Sequence, residues 1–140
     1  MTERYLLDTN ILSEPTKLTP SPTVMWHLQR YANQLTTASV VWHELLFGCQ
    51  RLPMSRKRTQ LEHHYQDLLL SGLVILPYTQ AAAEWHASER IRLTQLGQTP
   101  AFVDGMIAAT AVVHDLILVT RNVDDFVGFK DIHIENWFET

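Results

Sequence analysis

The sequence predicts an α/β domain built on a mainly parallel sheet. Short apolar runs such as Leu73-Val74-Ile75-Leu76 and Leu116-Ile117-Leu118-Val119 alternate with longer helical stretches, the order that a parallel sheet covered by helices requires. The breakers Pro53, Gly72, Pro77 and Gly97 fall between these stretches and end them. Length sets the scale: 140 residues, 46% apolar and 19% charged, suffice for one core and one domain over 1–140.

The elements follow in order. Arg4 to Leu7 reads as the first strand. The stretch from Glu14-Pro15 to Pro20-Ser21-Pro22 is a proline-punctuated loop, after which Ser21 or Thr23 caps a helix reaching about Tyr31. Leu35-Thr36-Thr37-Ala38 is a short β-prone run, and Ser39 is positioned to cap the next helix, which Pro53 stops. Ser55 opens a helix with an apolar stripe of Leu61, Tyr65, Leu68 and Leu69. Gly72 closes it, and Leu73 to Leu76 is a strand. Thr79 caps a helix from Gln80 to about Leu96. Asp104 to His114 is a helix rich in alanine, Leu116 to Thr120 a strand, and Ile132-His133-Ile134 a last short strand.

Several classes are excluded by composition. A single cysteine, Cys49, permits no intramolecular disulfide and no multi-cysteine zinc cluster. Met1-Thr2-Glu3-Arg4 leads straight into the first strand with no secretory apolar region. No apolar run approaches the ~20 residues that span a bilayer. The expectation is a cytoplasmic protein with no membrane association.

Four acids stand out. Asp8 closes Tyr5-Leu6-Leu7, Glu44 is embedded in Val40-Val41-Trp42-His43-Glu44-Leu45-Leu46-Phe47, Asp104 precedes Met106 to Val113, and Asp125 follows Leu116 to Thr120. Ligands of parallel α/β sheets sit outside the carboxyl ends of the strands; Asp8, Asp104 and Asp125 map to that edge, and Glu44 falls early in its helix. Gly48, four residues beyond Glu44, leaves room beside its carboxylate. At an effective dielectric of ~20, four carboxylates within ~5 Å repel by about 3 kcal/mol per pair, roughly 20 in total. A small domain has only ~5–15 kcal/mol of stability. Such a cluster protonates in part or takes up cations. Oxygen ligands without cysteine favour magnesium or manganese over zinc, and a metal-activated water fits in-line hydrolysis of a phosphodiester. Setting these four aside from the 15 acids leaves 11, matching the 11 bases, as removing any four acids would.

Each acid also has a plain structural reading. Asp8 and Asp104 suit helix caps or a first helical turn, Glu44 a structural ion pair, and Asp124-Asp125 a turn. His43-Glu44 is no zincin motif, because Phe47 occupies the second histidine position. His63, His64 and Asp67 read as an exposed helix surface. The bases Arg51, Arg56, Lys57 and Arg58, with Arg90 and Arg92, form either a phosphate-binding stripe or a solvated face. Trp26, Trp42, Trp85 and Trp137 read either as core or interface residues or as including a base-stacking platform.

Taken in order, Leu6-Leu7-Asp8-Thr9-Asn10, the helical Glu44, Phe102-Val103-Asp104-Gly105-Met106-Ile107-Ala108-Ala109-Thr110-Ala111 and Leu118-Val119-Thr120-Arg121-Asn122-Val123-Asp124-Asp125-Phe126 resemble the PIN-domain ribonucleases. Among these the chain is similar to the VapC/FitB-like toxins of toxin–antitoxin modules. The resemblance spans essentially the whole chain. It implies a three-layer α/β/α fold and Mg2+- or Mn2+-dependent endoribonuclease activity, with Asp8, Glu44 and Asp104 as the principal acids. Many relatives carry an acid where this chain has Asn122; its carbonyl can serve as a neutral ligand, with Asp125 or Asp124 supplying the missing charge. Thr9 and Thr120 then aim the carboxylates or the attacking water. The resemblance also implies a homodimer, RNA substrates that include transfer RNA, and a cognate antitoxin. The antitoxin's apolar helix is expected across the early helices, near Trp26, Leu28, Tyr31, Tyr65 and Leu69.

Two other functions fit parts of the pattern. A phosphatase could use Asp8 as covalent nucleophile, but Asn10 stands where such enzymes carry a second Asp, and no lysine ends a predicted strand. A non-catalytic binding module would keep the fold and lose the reaction, a reading that the Asn122 departure favours.

Overall fold

The computed structural model describes residues 3–139; Met1 and Thr2, part of the expected direct entry into the first strand, lie outside that range. Five short strands form one sheet: β1 (Tyr5–Leu7), β2 (Leu35–Ala38), β3 (Val74–Leu76), β4 (Ile117–Val119) and β5 (His133–Glu135). Their spatial order is β3-β2-β1-β4-β5 and every pair is parallel, with Leu6 opposite Thr36 on one side and Leu118 on the other. Six helices cover the sheet: α1 (Thr9–Leu12), α2 (Pro22–Arg30), α3 (Ser39–Gln50), α4 (Arg56–Leu70), α5 (Gln80–Gln95) and α6 (Phe102–Val113). The parallel α/β architecture read from the sequence is the one observed.

Local chemistry accounts for most boundaries. Ser21, Ser55 and Thr79 accept the main-chain N–H three residues on and cap α2, α4 and α5. Gly72 (φ 96°) and Gly97 (φ 73°) take the left-handed turn that closes α4 and α5. The expected cap at Ser39 is not found. Ala38 occupies the cap position without a side-chain bond and Ser39 is already helical, because β2 runs directly into α3.

The core is continuous across the central strands. Leu6, Leu7, Leu118 and Val119 are fully buried, with Ile11, Val41, Ala108 and Ala111 packed from both faces. Thr36 and Thr37 are also buried on β2, and each donates its hydroxyl to a β1 carbonyl, Tyr5 at 2.9 Å and Leu7 at 2.8 Å. Buried hydroxyls satisfied in this way tie β2 to β1 without a desolvation penalty.

The chain steps from β1 to β2 to β3 in one direction, then returns to place β4 on the far side of β1. The sheet therefore reverses its order between β1 and β4. Side chains leaving the carboxyl ends of those two strands converge on a crevice there.

A candidate acidic site at the strand reversal

Asp8 is the residue after β1, and its main-chain N–H donates to Val119 O of β4 at 3.0 Å. Its side chain caps α1: Oδ1 accepts from Thr9 N at 2.8 Å. Oδ2 accepts from the Thr120 hydroxyl, also at 2.8 Å. Asp8 is 5% exposed and Thr120 fully buried. The helix-cap reading therefore holds for Asp8, and the same carboxylate also meets Thr120 at the strand reversal. Thr9 reaches it chiefly through its main chain, since its own hydroxyl lies 3.5 Å from Oδ1.

Asp104 sits in the first turn of α6, half-buried, behind a cap position held by Ala101. The helix starts at Phe102, two residues before the position expected from the sequence. Asp104 shares its face with the buried Ile107, Ala108 and Ala111. Its carboxyl is pushed up to about 6, first by burial and then by the charges of Asp125, Asp8 and Glu44. All four acids therefore act on one region. Burial also raises the Asp8 carboxyl, with Asp125 adding to the rise, against the opposing bonds from Thr120 and Thr9.

Glu44 departs from expectation. The buried stripe of α3 is Val41, Leu45 and Cys49, spaced four apart, so the neighbouring Glu44 faces outward and is exposed rather than embedded. Space does open beside it: a Cβ at Gly48 would meet nothing within 4 Å. Asp125 ends a short 3-10 turn (Val123–Asp125) beyond β4 and is exposed, as are Asp124 and Asn122. Asn122 is tied to the site through its main chain, which donates to Thr120 Oγ1 at 3.0 Å.

The arrangement is looser than four carboxylates within 5 Å. Among the described residues, no three His, Cys, Asp or Glu side chains close around a point as a ready-made metal cage. Mutual repulsion explains this: two acids anchor the interior and two stand on a solvated rim, where water screens them. None of the ion pairs among the described residues includes these acids. The ion-pair reading of Glu44 thus finds no support. An uncompensated, oxygen-only donor set with one carboxyl raised toward neutral pH suits a hard divalent cation.

Two neighbours were not assigned to the site from the sequence. Asn10 accepts from Arg121 N at 3.0 Å through Oδ1 and lies 3.5 Å from Thr120 Oγ1 through Nδ2. It braces the loop after β4 against α1. Its position two residues beyond Asp8 was the available signal. Arg121 stacks its guanidinium over the Phe138 ring, 4.5 Å from the centroid. Away from the site, His64 is not a free surface histidine, since Nε2 contacts Leu12 O at 2.9 Å. Of the tryptophans, Trp137 is core, Trp42 and Trp85 pack against the core, and Trp26 is largely exposed.

The PIN domain family profile matches residues 5–132. The chain is 31% identical to toxin FitB of Neisseria gonorrhoeae, over 94% of this chain and 96% of that protein. It is 30% identical to VapC ribonuclease Y4jK of Sinorhizobium fredii, over 86% and 89%. The crystal structure of FitAcB from Neisseria gonorrhoeae superimposes with a TM-score of 0.87 at 29% identity, covering 97% of this chain and 99% of that one. Sequence, strand order and the acids at the strand reversal agree: the chain belongs to the PIN domain family.

Proposed function

We propose that this protein is a divalent-metal-dependent endoribonuclease and the toxin of a toxin–antitoxin pair. The observation that carries this reading is the placement of acids at the crevice between β1 and β4: buried Asp8, bonded to Thr120 across the two strands, and Asp104 in the first turn of α6, whose carboxyl is raised by burial and then by Asp125, Asp8 and Glu44. The likeness to a named ribonuclease and a named toxin supplies the substrate class and the biological setting.

Asp8, Glu44, Asp104 and Asp125 are the residues to hold the metal, Mg2+ or Mn2+, with Asn122 offering a neutral oxygen. A bound cation supplies charge neutralisation at the phosphodiester and acidifies a water for attack. The chain's own residues do the rest. Thr120 and Thr9 N fix the rotamer of Asp8, and the first turn of α6 holds Asp104 half-buried, where water screens its charge less. In this reading 1–140 is a single PIN-like nuclease domain.

A cognate antitoxin has a surface to occupy. Trp26, Leu28 and Leu68 line an apolar groove of about 660 Å³ between α2 and α4, and Trp42, Tyr65 and Leu69 line a second of about 340 Å³. Tyr31 is engaged instead in the aromatic cluster with Tyr5 and Trp137. We further propose a homodimer as the working assembly. No helix among the described residues is long and apolar enough to cross a membrane.

The test is cleavage of single-stranded RNA and of transfer RNA by the purified protein. Activity with Mg2+ or Mn2+, lost in a chelator and in Asp8→Asn and Asp104→Asn, supports the assignment. Folded protein that cuts neither RNA at any divalent-metal concentration contradicts it and favours a non-catalytic binding module.

A further inference from the structure

We propose that Arg121 forms a phosphate-binding subsite for the RNA strand, adjacent to the cleavage point. The inference rests on the ribonuclease reading above and names a residue that reading does not use.

A cavity of about 410 Å³ opens beyond the carboxyl end of β4, lined by Arg121, Asn122, Asp124, Asp125, Asn136 and Glu139. Among the described residues of this lining Arg121 is the only base, against three carboxylates. An RNA strand approaching such a surface is repelled unless a fixed cation receives it. Arg121 is exposed, yet none of the ion pairs among the described residues includes it, despite the acids around it. Its guanidinium lies over the Phe138 ring instead. A guanidinium placed over a ring keeps N–H groups at its rim with which it can grip a phosphate in two parallel bonds, and its charge, felt at the nearby Glu14 carboxylate, is not taken up in an ion pair.

The main chain fixes the base of the side chain. Arg121 N donates to Asn10 Oδ1, and the preceding residue, Thr120, donates to Asp8. The cation is thus one residue from a hydroxyl bonded to the most buried acid of the site. A phosphate held by Arg121 lies on the strand beside the one presented to Asp8 and Asp104, so the residue sets the register of the substrate and the strength of its binding. It takes no part in bond breaking.

The experiment measures binding of a labelled single-stranded RNA of about 12 nucleotides to protein carrying Asp104→Asn, which prevents cleavage, across a sodium chloride series with Mg2+ present. Arg121→Ala is expected to weaken binding about tenfold and to flatten the plot of log affinity against log salt by about 0.7, the loss of one phosphate contact. Arg121→Lys, which keeps the charge without the planar fork, restores the slope and only part of the affinity, and Phe138→Leu weakens binding with the slope unchanged. In otherwise native protein, Arg121→Ala raises KM for RNA cleavage and leaves kcat within about twofold. Unchanged affinity and slope overturn the subsite, as does a loss seen with RNA and absent with DNA of the same sequence. If native protein cuts RNA and the slope does not move, the subsite alone fails. If native protein binds RNA without cutting it, the ribonuclease reading fails and the slope still decides Arg121. If it binds no RNA, both fail.

Discussion

The side chains of Asp8 and Thr120, 112 residues apart in sequence, meet in a 2.8 Å hydrogen bond that joins the carboxyl ends of β1 and β4. That hydroxyl also accepts from Asn122 N at 3.0 Å, so one buried oxygen orients both an acid and the loop that carries Asn122 and Asp125. It is the point where the fold and the chemistry are the same object.

Thr120→Val removes this oxygen while keeping the shape. A buried carboxylate and a main-chain N–H each lose a partner, and bonds to charged groups contribute about 1.5–3 kcal/mol. Denaturant unfolding at pH 7 is expected to show a loss in that range. RNA cleavage is expected to fall about 10–100-fold, as for partners that orient metal ligands. Thr120→Ser, which retains the hydroxyl, recovers most of both.

The Asp104 carboxyl makes stability depend on pH in a defined direction. Its value in the folded protein is about 6 against 3.8 in the unfolded chain, so the folded state binds more protons between those values. Stability therefore falls as pH rises from about 4 to about 6 and levels off above. Asp104→Asn removes this contribution. The variant is expected to be more stable than native protein at pH 7 by on the order of 1–2 kcal/mol, a figure discounted because water reaches part of the carboxyl. The two proteins converge near pH 4. Equal stability of both across the whole range contradicts the assignment.

Gly105 and His86 interlock beside Asp104. A Cβ on Gly105 would overlap the His86 ring, whose Nδ1 contacts Tyr78 Oη at 2.8 Å and whose Nε2 is buried without a partner. Gly105→Ala is expected to cost about 2–3 kcal/mol through overpacking, and His86→Ala a similar amount through the cavity it leaves. The double variant, in which the new methyl enters vacated space, should cost at least ~1 kcal/mol less than the sum. Additive losses in a denaturation cycle would show that the two residues do not share the space.

Legibility of the sequence followed the range of the interactions. Strand order of types, the caps at Ser21, Ser55 and Thr79 and the closing turns at Gly72 and Gly97 are set by residues a few positions apart, and all were visible. Asp8 was visible as a cap and as an acid at a strand end because both roles depend on its immediate neighbours. Glu44 misled: its apolar surroundings in sequence wrap around a helix, and only the phase of Val41, Leu45 and Cys49 shows that it faces outward. Arg121 over Phe138 and His86 against Gly105 join segments 17 and 19 residues apart, which no local pattern encodes.

Whether Asp8, Glu44, Asp104 and Asp125 form one cation-binding centre is decided by NMR titration of the Asp104 side-chain carboxyl with and without saturating Mg2+. The cation should carry the Asp104 titration from about 6 down below the ordinary aspartate value of 3.8, and Asp8→Asn should weaken that response. A titration unmoved by Mg2+ and by Mn2+ would contradict such a centre.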